Sequence, residues 1–165
     1  MTDTPTVPLS DTLLNAVAQR ALAAGVFASV RSEGGTLRCE ARGSSEPAFY
    51  SLFAEGSRVW VALQTPARYL SQSIEADLMF TGDKLPDLLH EEVVDMGYAD
   101  AVPGAPELVV EHFRSEPPAK LYTFRSPLPL PEKEWGSAGA AHVCAIVLLG
   151  YEAAFRELGG MKGGD

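Results

Sequence analysis

Apolar positions near the start of the chain recur as Leu13, Leu14, Val17, Ala18, Ala21 and Leu22, the spacing of one helix face. Ser10 or Asp11 is placed to cap that helix, and Gly25 stops it. The period then falls to two. Val26 to Val30 suits a strand or an irregular extension of the helix exit, and Glu33-Gly34-Gly35 is a turn signal. Leu37, Cys39 and Ala41 alternate with Thr36, Arg38 and Glu40. Gly43-Ser44-Ser45 and Pro47 form a loop, and Phe49 to Ala54 and Arg58 to Gln64 read as strands across Glu55-Gly56-Ser57. Short strands joined by tight turns predict an antiparallel meander.

Thr65-Pro66 switches the period back, with Thr65 as N-cap and Pro66 at the first helical position. Tyr69, Leu70, Ile74, Asp77 and Leu78 follow helical spacing until Gly82. Asp83-Lys84-Leu85-Pro86 restarts it through Leu88, Leu89, Val93, Val94 and Met96, as a second helix or as one long helix with a break. A Pro/Gly loop spans 100–106. Leu108 to Arg114 and Ala119 to Arg125 pair as a hairpin across 115–118. Pro127, Pro129 and Pro131 cannot continue a central strand, and a last helix runs from about Gly136 to Leu158.

This order predicts an α+β fold: an antiparallel sheet of about five strands with helices packed against it. Residues 1–8 read as a flexible arm, 9–158 as a single domain and 159–165 as a flexible Gly-rich tail. The 165 residues fit one domain able to bury its own core without a disulfide or metal. No internal repeat is visible.

Composition narrows the partners. The net charge is -9, which sets direct nucleic-acid binding at a disadvantage, because phosphate neutralisation supplies most of that affinity. Arg31, Arg38 and Arg42 read as solvated strand ends rather than a basic patch. Cys39 and Cys144 read as buried small hydrophobes, in keeping with a reducing, cytoplasmic setting. The N-terminus has neither the basic nor the long apolar region of a signal peptide. The apolar stretch from Trp135 to Phe155 has too short a strong core, Val143 to Leu149, to read as a membrane span; it suits a helix buried in the domain or a dimer interface.

Candidate chemistry is sparse. His90-Glu91-Glu92-Val93-Val94 has valine where a zinc-protease helix needs its second histidine, so His90 reads as a surface residue. His112 and His142 read as structural. The chain has no Cys-x-x-Cys, no phosphate-cradling glycine loop and no Gly-x-Ser-x-Gly elbow, so no catalytic residue, metal or cofactor is expected. Eight carboxylates against Lys84 alone fall in 75–100, among them Asp87, Glu91, Glu92 and Asp95. They read as a solvated helix face or as a surface that steers a basic partner. Aromatics gather in the strands, where core packing competes with a partner surface formed by Trp60, Phe113, Tyr122 and Phe124.

A first amphipathic helix, a strand meander, a helical middle, two more strands and a closing helix resemble the fold of type III secretion chaperones and YbjN-like bacterial proteins (α-β-β-β-α-β-β-α). Phe49 to Ala54 and Arg58 to Leu63 carry its second and third strands, and Leu108 to Phe113 and Leu121 to Leu128 its fourth and fifth. The resemblance spans roughly 9–158 and rests on topology, size and acidity. It implies a homodimer without enzymatic activity that engages a segment of another protein as client. The acidic face adds that this client is basic or DNA-associated. Ala141–Leu149 and the 66–96 region are the candidate dimer faces. Two alternatives stand beside it: a small-molecule or enzymatic site between sheet and helices, with His112, Glu111 and Tyr122 as its polar groups, and a signalling regulator.

Overall fold

A computed structural model describes residues 6–115 and 120–162 of the chain. The fold is α+β. In chain order the elements are β1 (Thr6–Val7), α1 (Asp11–Ala24), β2 (Phe27–Glu33), β3 (Thr36–Ala41), β4 (Phe49–Glu55), β5 (Arg58–Thr65), α2 (Arg68–Thr81), α3 (Leu85–Asp95), α4 (Tyr98–Ala101), β6 (Glu111–Arg114), β7 (Tyr122–Pro127) and α5 (Ala138–Phe155). The antiparallel sheet runs β2-β3-β4-β5-β7-β6, and β1 pairs with the end of β4 that β3 does not reach.

The sheet is larger than the five strands expected. Phe27–Glu33 is a full strand, paired with β3 from Phe27↔Ala41 to Glu33↔Thr36 with one irregularity between Phe27 and Ser29. Only Phe27 in it is buried, so its apolar signal was thin. The expected arm is part of the sheet from Thr6 onward, and residues 1–5 lie outside the described residues. Thr65 is not an N-cap. Its hydroxyl donates to the Pro47 carbonyl (2.6 Å) and accepts from the Ala67 N–H (3.0 Å), which holds it in β5 and delays the helix to Arg68. Ser10 does cap α1, accepting from Leu13 N–H at 3.2 Å, and Gly25 closes it at φ 68°. The helical middle is two helices, with the short α4 at the start of the expected loop. Of the hairpin turn expected at 115–118, residues 116–118 lie outside the described residues.

Register sorts the side chains. Leu37, Leu52, Val61 and Ser126 lie in line on one face, as do Cys39, Tyr50, Leu63 and Phe124. This is the covered face. α5 packs on β4 and β5, and α1, α3 and α4 pack against α5. Thirteen of the eighteen residues of α5 are buried. By length and composition α5 would suit a membrane span, yet its apolar surface is spent inside the domain. Of its polar groups, the Tyr151 hydroxyl sits 2.6 Å from Ser126 Oγ, and the buried Glu152 carboxylate pairs with Arg156.

The chain closes on α2. Residues 159–162, expected as part of a loose tail, form a 3-10 turn whose N–H groups donate from Gly159 to Asp77 Oδ2 (3.0 Å) and from Gly160 to Ser73 Oγ (2.9 Å). Ser45 N–H donates to the Gly160 carbonyl (2.8 Å), and Met161 is buried. A Cβ at Gly159 would lie 2.6 Å from the Ser73 backbone, so glycine is what permits this approach. Residues 163–165 lie outside the described residues.

α3 crosses α5 at Gly150, where an added Cβ would stand 2.5 Å from Val93 Cγ1. Alanine is worth up to about 1 kcal/mol more than glycine in a helix interior, and overpacking a closed core costs about 1–3 kcal/mol. Gly150→Ala is therefore expected to lower stability in urea unfolding, and Gly150→Ala/Val93→Ala to recover part of the loss.

Candidate functional site

The uncovered face of the sheet is closed by its own side chains. Trp60 lies opposite Phe53 and Pro127, and Arg125 opposite Ala62 and Glu111. The Arg125 guanidinium sits 3.9 Å above the Trp60 ring and 5.0 Å from that of Phe113, and it donates to Glu55 (3.1 Å) and Glu111 (2.9 Å). Arg38 covers Phe49 at 4.0 Å. Trp60 is thereby only 6 % exposed although it stands outside the main core cluster. Cation–π contact and charge-assisted hydrogen bonds do here what a second layer does elsewhere.

This arrangement divides the expected aromatic surface. Trp60 and Phe113 belong to the Arg125 lattice. Phe124 is buried on the helix side, and Tyr122 shares that side, its ring 5.7 Å from the Arg114 guanidinium. The four therefore form no common surface. Glu111, expected beside His112 in a pocket, points to Arg125 instead. Arg42 is engaged with the Gly25 and Phe27 carbonyls (2.7 and 3.0 Å), where it ties α1 to β2.

His112 sits on the helix side of β6, stacked on Phe124 with centroids 3.8 Å apart and planes 9° from parallel. Its Nε2 is 3.0 Å from Ser71 Oγ, and its Nδ1 is 3.8 Å from Glu75 Oε2. Hydroxyl, imidazole and carboxylate thus follow the order of a nucleophile, base and orienting acid. Ser71 is 2 % exposed, sealed beneath the imidazole, so a substrate has no path to its oxygen. Nothing in the sequence marked Ser71, which sits on the buried side of a helix. A cavity of about 310 Å³ adjoins His112, lined by Leu78, Met79, Leu85, Pro86 and Val110.

α3 carries Asp87, Glu91 and Asp95 outward at every fourth residue, and Glu92 half-buried. Asp83, Asp87, Glu91 and Glu107 line a cleft of about 500 Å³ together with Lys84 and His90. Among the described residues no three His, Cys, Asp or Glu side chains converge as a metal site. Cys39 and Cys144 are buried, which pushes both thiols up to about 12.

The least covered apolar surface is on α2. Tyr69, Met79 and Phe80 are 81, 83 and 90 % exposed, with Gln72 and Ala76 exposed between them. Leu70, Ile74 and Ser71 of the same helix face inward.

No family model, curated protein or solved structure matches the chain.

Burial holds the His112 imidazole below its ordinary 6.5, and the Glu75 carboxylate opposes the shift. The unfolded chain therefore takes up a proton before the folded one does. The increment of stability from neutral His112 is complete above pH 6.5 and is lost as pH falls below it toward the folded value. Urea unfolding from about pH 7.5 to 5.5 is expected to show this loss, and His112→Gln to flatten it.

Proposed function

We propose that this protein is a non-enzymatic, homodimeric module that holds a segment of another protein, as the secretion-chaperone resemblance implies. The observation that carries the reading is the uncovered apolar face of α2. Tyr69, Gln72, Ala76 and Met79 recur at alternating three- and four-residue steps, the spacing of a helix-pairing seam, and Phe80 flanks it. The seam is large at its ends and small at Ala76. An antiparallel pairing of two copies sets Tyr69 of one against Phe80 of the other at both ends. Six large side chains at about 1.5–3 kcal/mol each are of the size needed to offset an association cost of about 4–15 kcal/mol.

The client is a basic segment. Asp87, Glu91 and Asp95 form an outward stripe with no cation among them, and such a stripe raises the on-rate of basic partners and repels acidic ones. A small-molecule reading has the His112 cavity as its support, and the sealing of Ser71 weighs against a catalytic form of it.

Sedimentation at micromolar concentration tests the dimer. The parent is expected at twice the chain mass. Phe80→Asp, on a side chain that touches almost nothing in its own chain, is expected to give a monomer with unchanged circular dichroism. A monomeric parent would remove the dimer from the proposal.

A further inference from the structure

Ser115 N–H donates to the Leu121 carbonyl at 2.8 Å. By the alternation of an antiparallel ladder, the residues of β6 that hydrogen-bond to β7 are then Phe113, with Thr123, and Glu111, with Arg125. The next pairs in the series would be Val109 with Pro127 and Glu107 with Pro129; beyond them the Ala105 N–H donates to the Val102 carbonyl and the Leu130 N–H to that of Leu128. Both pairs fall on a proline, which has no N–H to give. The opposite edge of β7 is unharmed, because Leu128 N–H donates to the Val59 carbonyl at 2.8 Å. The prolines thus occupy only the positions whose donors would face β6.

The ladder stops there and the two runs part. Between 106–109 and 127–131 lies a cleft of about 590 Å³. Tyr98, Leu108, Leu128 and Leu130 line it and are buried. The N–H groups of Glu107 and Val109 have no backbone partner among the described residues, and Val109 is exposed. Arg58 stands at the margin and makes no ion pair among the described residues.

We propose that this cleft binds an extended segment of a partner protein, which pairs as an added strand along Glu107 and Val109. Unmatched backbone groups two residues apart repeat at about 6.6 Å, the spacing of an extended chain. Alternate apolar side chains of the segment settle on Leu108 and Leu128, and a backbone carbonyl at one end of it meets Arg58. Pro127 and Pro129 keep β7 from filling the place that the segment takes. This assignment rests on the protein-binding reading above and gives that reading its site.

A phage-displayed library of random linear octapeptides, panned on the full-length protein, tests both. The expected result is enrichment of sequences with apolar residues at alternate positions. Val109→Pro removes a donor that no described backbone group accepts from, so the melting temperature stays and selected peptides bind about tenfold more weakly. Pro129→Val restores the donor opposite Glu107, and the extended ladder excludes the peptides with a similar loss. Enriched peptides that bind both variants as well as the parent would overturn the cleft assignment and leave the binding module standing. No enrichment on the parent would overturn the module as well. Loss of the dimer in Val109→Pro would assign the cleft to a second copy of the chain and overturn a foreign segment.

Discussion

A helix of eighteen residues with almost no polar side has to be enclosed all round, and the enclosure of α5 sets the positions of the other elements. The sheet packs against it through β4 and β5, and α1, α3 and α4 pack against it as well. Gly150 lets α3 come close, and the Tyr151 hydroxyl finds Ser126, so the helix is buried without an unmatched polar group at that depth. With the apolar capacity of the domain concentrated there, the helices gather on one side of the sheet.

The far side is handled by different physics. Arg125 lies over Trp60 and Phe113 while Glu55 and Glu111 hold its charge, so a two-layer fold is finished without a third layer. The sheet ends by a third device. At the junction of β6 and β7 the prolines withdraw donors from one edge of one strand and leave the other edge paired. Apolar enclosure, charge over aromatic rings and missing donors each close a boundary, and what remains uncovered is the outer face of α2 and the fork after β7.

Much of this was legible in the chain. The Ser10 cap, the Gly25 stop, the meander through β3, β4 and β5 and the enclosed last helix follow from local patterning that tertiary packing did not override. What stayed hidden depends on register. Trp60 and Phe124 look alike as aromatic strand residues, yet pairing sends one outward and the other inward, a distinction of parity that no window of sequence carries. Thr65 has the composition of an N-cap and was claimed instead by a carbonyl eighteen residues earlier. Ser71 and Arg125 acquire their roles only from partners brought together across the sheet, and the glycines at 159 and 160 read as looseness because the turn they allow is docked on α2.

That last contact also orders events in time. The Gly159 N–H reaches an aspartate 82 residues upstream, so α2 emerges from the ribosome long before its clasp exists. At about 5–20 residues per second the wait is about 4–16 s. Throughout that interval the helix bearing Met79 and Phe80 lacks the strap that fixes its inner side. Residues 159–160 therefore work as a latch that reaches α2 only once the stretch between them and Asp77 has been made.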